Sequence, residues 1–383
     1  MPHTKKNGVW IVGEDIGYSG VKGECPNSYY SFPSYAVKMH GERISFGGED
    51  SANNTEIIYC DNKTGEKWLV GAVAQNNMSV EDTKDSEESL YGRNRYFNPM
   101  FRVLGAVGIG MGLTPNKYGS VDLSEEKLLL QTGLPPKYIR SDAELLREAL
   151  SGSYDFSIKF GNSEFMDYKF ELYPENISII PQPMGTFWSV ITAENGGLVP
   201  EAEKIRNKKM LIVDIGFRTL DIFPIYGGTL QEQQTFDNLA MCEVLKRTVD
   251  ALYKKYKIDL SVPIMQQYLE KGTVTKVDRR QMKKTPYPFD DILEKASHEV
   301  CMEAIETIKQ LYNYLEEINY LVITGGTGAA WYEYFEKEFA GFMEEDIPDG
   351  LKILPGNVNI PNIPMFFANA HGYYMYGLNK KPV

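Results

Sequence analysis

The chain has 383 residues, enough for two or three domains, and its 43% hydrophobic, 24% charged composition excludes wholesale disorder. Forty Lys and Arg against 52 Asp and Glu leave a formal charge of −12, the wrong sign for a surface that grips a phosphate backbone directly. No apolar run approaches the roughly 18 residues that span a bilayer, no apolar segment follows the basic start, and Cys25, Cys60, Cys242 and Cys301 lack CxxC spacing. An acidic, cytoplasmic protein with neither membrane nor direct nucleic-acid contact is expected.

Val9–Glu24 opens with an apolar run, breaks at Gly17–Gly20 and returns, which predicts a hairpin. TEIIYC and KWLVGAV are strand-like, whereas Asn76 to Arg95 is polar and reads as loop or exposed helix. Phe101 to Leu113 predicts a buried helix, with Gly108, Gly110 and Gly112 explained by close packing rather than by a dinucleotide fingerprint. Leu128–Gly133 reads as a central strand ended by Leu-Pro-Pro. In Ser141–Leu150, Ser141 and Glu144 resemble a capping box at a helix start. After Asn176–Pro183, EAEKIRNKK reads as a charged linker into Met210–Gly228, a second apolar run with a glycine break.

Asn238–Tyr256 and Ile292–Ile318 repeat apolar residues at helical spacing. Between them Ser261–Asp290 is basic and contains prolines, with Lys276–Lys284 read as an exposed loop. Asn319–Phe339 reads strand, glycine turn, helix, and FFANAHGYYMYG closes the chain as an aromatic-rich helix. Strands alternating with helices predict an α/β architecture.

The two glycine breaks echo one another. Asp15-Ile16-Gly17-Tyr18-Ser19-Gly20-Val21-Lys22 aligns with Asp214-Ile215-Gly216-Phe217-Arg218-Thr219-Leu220-Asp221, each after an apolar strand. A glycine lets the backbone turn tightly enough for several N–H groups to converge on an anion such as phosphate. An aspartate beside that nest would repel phosphate unless a divalent cation lay between, so the pairing implies Mg²⁺. Lys22 adds a compact positive charge and Thr219 a hydroxyl donor. DxGxxTxD fixes four positions and rarely arises by chance, whereas DxGxxxxK or the turn Gly325-Gly326-Thr327-Gly328 is weak alone.

Together these residues resemble the actin/Hsp70/sugar-kinase superfamily: Asp15–Lys22 its first phosphate motif, Asp214–Asp221 its second, Ile323–Ala329 its adenosine motif. Within it, WLVGAVA, LLLQTGLPPKY and the FFANAHGYYMYG ending look most like the ParM-type bacterial actins, plasmid-segregation ATPases, over nearly the whole chain. The resemblance implies an actin-like α/β fold of two duplicated lobes, with mixed five-stranded sheets and helices, around a nucleotide cleft. Lobe I would span 1–180, with 365–383 returning to it and 28–97 as a small outer subdomain. Lobe II would span 181–364, with a smaller insertion at about 257–290. Asp15 and Asp214 would face Mg²⁺, Lys22 the β-phosphate, and the amides of Gly17, Tyr18, Ser19, Gly216, Phe217 and Arg218 the phosphates, with Thr219 and Asp221 in the same motif. Gly325, Gly326 and Thr327 would border the adenosine, and Glu243 and Lys246 the ribose or base, although for these two a solvated helix face is the stronger reading. Gln182 falls where relatives orient the attacking water.

The implied activity is an ATPase, GTP not being distinguished, whose hydrolysis drives a dynamic homopolymer that reaches plasmid DNA through an adaptor of the ParR type. The alternatives on the same fold are a non-polymerising small-molecule kinase and a cell-shape actin. Three residues depart from the family pattern: Glu14, which would add negative charge near the metal, Arg218 inside the second motif, and His371 in place of an arginine.

Overall fold

A computed structural model describes residues 6, 8–41, 56–77, 93–278, 280–343 and 350–380. Most of the polar stretch from Asn76 to Arg95 lies outside them. In chain order, β1 (Val9–Ile16), β2 (Gly20–Cys25), β3 (Ser28–Pro33), β4 (Ala36–Lys38), β5 (Ile57–Asp61) and β6 (Lys67–Val70) come first. Helix α1 (Ala72–Asn77), α2 (Pro99–Leu113), β7 (Lys127–Leu134), α3 (Pro136–Leu150), β8 (Gly152–Phe160), β9 (Met166–Leu172), β10 (Ile177–Pro181) and α4 (Gln182–Ile191) follow. Next are α5 (Ala202–Asn207), β11 (Lys209–Ile215), β12 (Leu220–Tyr226), β13 (Thr229–Leu230), β14 (Gln234–Phe236), α6 (Met241–Tyr256) and α7 (Val262–Tyr268). The chain ends with β15 (Thr273–Asp278), β16 (Lys283–Pro288), α8 (Asp290–Leu311), β17 (Tyr320–Thr324), α9 (Gly326–Glu338), β18 (Lys352–Pro355) and α10 (Ala368–Asn379).

These elements form two compact units, residues 1–199 with 359–383, and residues 200–358. In the first, a sheet of order β10-β7-β1-β2-β3 has β1 parallel to β7 and antiparallel to β2. Its centre is apolar because both faces are covered, by α2 and by α10. Asn98 caps α2 by accepting a hydrogen bond from the Met100 amide, and Pro99 starts the helix where no intrahelical N–H is lost. The glycines of α2 pack closely, as expected: the Trp10 indole donates to Gly112 O at 2.9 Å. Helix α10 lies against α4 so tightly that a Cβ on Gly372 would fall 1.6 Å from the Gly185 carbonyl oxygen. That packing holds α4 in the first unit, so the units divide at Val199–Pro200, further along the chain than the expected 180/181.

A second sheet of the first unit has the order β4-β6-β5-β8-β9. The small subdomain expected at 28–97 therefore takes two of its strands from residues 152–172, and β3 belongs to the main sheet instead. The second unit carries a six-stranded sheet, β13-β12-β11-β17-β18 with β14 also on β12, one strand more than the five expected. Residues of the expected insertion form α7 and the separate ribbon β15–β16. Two local expectations fail. Ser141 caps nothing: α3 begins earlier, at Pro136, and the Ser141 hydroxyl donates back to Tyr138 O. EAEKIRNKK is no linker but contains α5, seated through buried Ala202 and Ile205. No helix among the described residues is long and apolar enough to cross a membrane.

Candidate functional site: paired glycine hairpins

Each unit builds the same corner. In the first, β1 and β2 pair Asp15 with Lys22 and Ile16 with Val21, and Gly17 N donates to Gly20 O at 3.1 Å. In the second, β11 and β12 pair Asp214 with Asp221 and Ile215 with Leu220, and Gly216 N donates to Thr219 O at 3.0 Å. The flanks agree as well: β7 and β10 run parallel to β1, and β17 and β18 run parallel to β11. Both hairpins thus sit at the carboxyl ends of parallel strands, the edge where open α/β sheets bind ligands.

Around the first tip, Lys22 Nζ lies 3.6 Å from Asp15 Oδ2, and a Cβ on Gly17 would meet that ammonium at 3.1 Å. The lysine therefore leans over the turn, beside Asp15. Gln182 is the first residue of α4, at the end of β10. One parallel strand, β7, separates it from the end of β1, two strand spacings or about 10 Å across the sheet.

Around the second tip, the side chains of the motif engage one another. Thr219 Oγ1 donates to Asp221 Oδ2 at 2.7 Å, and Thr235 Oγ1 donates to Asp221 Oδ1 at 2.6 Å. Burial pushes the Asp221 carboxyl up, against the downward pull of those two hydroxyls. The turn after β17 closes on this hairpin. Gly325 has φ 85°, and a Cβ there would lie 2.3 Å from Ile215 O and 2.7 Å from Asp214 Oδ1. Thr327 Oγ1 donates to Gly216 O at 2.7 Å, so Gly325, Gly326 and Thr327 adjoin the second hairpin directly. Glu243 and Lys246 lie on the first turns of α6. Glu243 is taken up by Arg247 at 3.0 Å, which also grips Glu303 of α8 through two bonds of 2.7 and 2.8 Å.

The departures from the family pattern are absorbed by the core. Glu14 is fully buried with its carboxyl against Gly108, where a Cβ would fall 1.7 Å from Oε1. Burial, with Asp15 adjacent, pushes its carboxyl well above the usual range and favours the neutral acid. That direction opposes the extra negative charge expected beside Asp15. His371 is buried too, and its Nδ1 lies 2.7 Å from Glu24 Oε2 on β2. Arg218 remains at the tip of the second hairpin.

Several neighbours of the hairpins escaped sequence reasoning. Ser34 Oγ donates to Gly17 O at 2.7 Å. Arg95 donates to Ile16 O at 2.8 Å, with its guanidinium 4.7 Å from the centre of the Tyr18 ring. Neither carries a motif signal, and Arg95 ends the stretch read as solvated.

This fold and these paired corners are similar to those of actin-like proteins. Residues 13–185 match the family described as the N-terminal domain of actin-like proteins. No curated protein matches in sequence. Solved structures show an actin-like fold, similar to those of ParM proteins and of an archaeal actin homologue. A non-polymerisable quadruple mutant of pCBH ParM superposes with TM-score 0.69 at 21% identity, covering 96% of this chain and 98% of that one. A 15-stranded ParM filament from Clostridium botulinum gives 0.66 at 18% identity, covering 96% and 99%. An archaeal actin homologue in complex with ADP gives 0.61 at 15% identity, covering 97% and 100%.

Proposed function

We propose that this chain is a nucleotide-dependent filament former: it binds ATP with Mg²⁺, polymerises, and hydrolyses the nucleotide so that the lattice weakens. The observation that carries the reading is the duplicated hairpin, Asp-Ile-Gly-aromatic in the same register at the carboxyl edge of both main sheets. Each hairpin is a phosphate nest for the nucleotide, with backbone amides of Gly17, Tyr18 and Ser19 in the first, of Gly216, Phe217 and Arg218 in the second, and Lys22 for the β-phosphate. Gly325, Gly326 and Thr327 border its adenosine, and Gln182 orients the attacking water. The ADP complex of the archaeal homologue and the ParM filament support these two halves of the proposal by likeness.

The residues suit magnesium. Each hairpin presents an aspartate at the end of its first strand, Asp15 and Asp214, and among the described residues neither belongs to a cluster of three or more His, Cys, Asp or Glu. Mg²⁺ accepts that arrangement, because it retains water and takes phosphate oxygens for its remaining positions. Asp15 and Asp214 would hold it, and when bound it neutralises charge on the transferring phosphoryl group. A net charge of −12 leaves DNA attachment to a basic adaptor of the ParR type, with plasmid segregation as the role.

Light scattering of purified protein tests assembly. The signal should rise on addition of ATP and Mg²⁺ and decay as nucleotide is consumed, with filaments visible by electron microscopy. A flat trace well into the micromolar range, with nucleotide bound, removes the polymer and leaves a nucleotide-binding protein.

A further inference from the structure

A trans peptide is planar, so its C=O and the N–H of the next residue point in opposite directions. Fixing one carbonyl therefore aims the amide that follows it. In the first hairpin, Ser34 Oγ pulls on Gly17 O at 2.7 Å, which turns the Tyr18 amide the opposite way. Ser34 N also donates to Ser19 O at 3.2 Å, directing the Gly20 amide likewise. In the second hairpin, Thr327 Oγ1 pulls on Gly216 O at 2.7 Å and aims the Phe217 amide. Cys242 N, in the first turn of α6, donates to Phe217 O at 2.7 Å and aims the Arg218 amide.

Equivalent carbonyls, Gly17 and Gly216, are thus held by hydroxyls from unrelated parts of the chain. Ser34 follows the edge strand β3, and Thr327 lies in the first turn of α9. The internal repeat does not supply these donors, since neither residue lies within the echoed segments. Two separate solutions to one geometric demand indicate that the demand is functional. Arg95 adds a third brace on the first hairpin. Its guanidinium bonds Ile16 O and sits 4.7, 5.3 and 5.6 Å from the ring centres of Tyr18, Phe101 and Tyr96.

We propose that Ser34 and Thr327 are positioning residues for phosphate binding: their hydroxyls pin the Gly17 and Gly216 carbonyls inward so that the following amides face the anion, and Arg95 reinforces the first nest. This rests on the nucleotide reading above and deepens it. It gives Thr327 a role beyond the border of the adenosine, and it assigns Ser34 and Arg95 a place that their sequence positions do not announce. An untethered peptide could flip and present a carbonyl oxygen to the phosphate, turning attraction into repulsion.

The test uses the full chain and two probes, ATP with Mg²⁺ and adenosine alone, each titrated by calorimetry. Ser34→Ala and Thr327→Val should each weaken ATP binding about tenfold, the order of one lost hydrogen bond, and Ser34→Ala should leave adenosine binding unchanged. Thr327→Ser, which keeps a hydroxyl, should recover most of the loss. Should Ser34→Ala lose its cooperative melt, the Thr327 pair of variants decides alone. Full ATP affinity in Thr327→Val overturns the proposal, as does an equal loss for adenosine and ATP in a folded Ser34→Ala. If the parent protein itself binds no ATP, the nucleotide reading falls first and separately.

Discussion

The two hairpins share a backbone and differ in charge. Opposite Asp15 stands Lys22, and their charges cancel. Opposite Asp214 stands a second carboxylate, Asp221, so that with Arg218 at the tip the second corner keeps one net negative charge. Beside the aspartates, the first strand carries Glu14 where the second carries Val213. Duplication preserved what the anion nest requires of the main chain, and the side chains then divided the work. On the proposed nucleotide reading, a cation would be drawn more to the second corner and a phosphate more to the first.

That division predicts the largest effect at Asp214. Asp214→Ala should lower ATP turnover by about a hundredfold or more, the scale of losing a principal electrostatic support of a transition state. Asp15→Ala should cost less, because it leaves Lys22 unpaired and free to hold phosphate. Equal losses in steady-state turnover would erase the proposed asymmetry. Lys22→Met comes next, with ATP affinity lowered by roughly tenfold to a hundredfold, as for other charge-assisted bonds. Its salt dependence sharpens the comparison: the parent should lose affinity more steeply with ionic strength than the variant. Gln182→Ala should slow hydrolysis by about tenfold or more while binding and assembly persist, giving longer-lived filaments. Loss of nucleotide affinity in that variant would mark Gln182 as structural.

The corners were legible because their signals are local. An apolar run, an aspartate and a glycine within a few residues specify strand and turn together, and the same holds for Tyr320–Thr324 followed by Gly325. What braces the corners was not legible. Ser34 reaches Gly17 only because β3 is the neighbour of β2, and Thr327 reaches Gly216 across more than a hundred positions of sequence. His371 stood out in the sequence only as a substitute for an arginine, and its partner Glu24 lies near the other end of the chain. Ser141 shows the opposite failure, a correct local pattern overruled because proline had already started the helix upstream. Long-range hydrogen bonds leave no spacing in a sequence, whereas turns do.

The smallest effect concerns Glu14, the residue that most separates β1 from β11. Its carboxyl is buried, and among the described residues neither oxygen has a hydrogen-bond partner. Burial raises its pKa well above the ordinary 4.5, so across the interval above that value the folded chain holds a proton that the unfolded chain has released. Stability therefore declines as pH rises through the interval, and is fully present only below it. Glu14→Gln preserves shape and cannot ionise, which removes this slope. The variant's thermal midpoint should exceed that of the parent by more at pH 8 than at pH 5, with ATP affinity little changed because the side chain faces Gly108 of α2. A shift of the same size at both pH values would mean that Glu14 is as charged in the folded protein as in the unfolded one. The hidden acid would then belong to the charge balance of the first corner, and the contrast with Val213 would have to be redrawn.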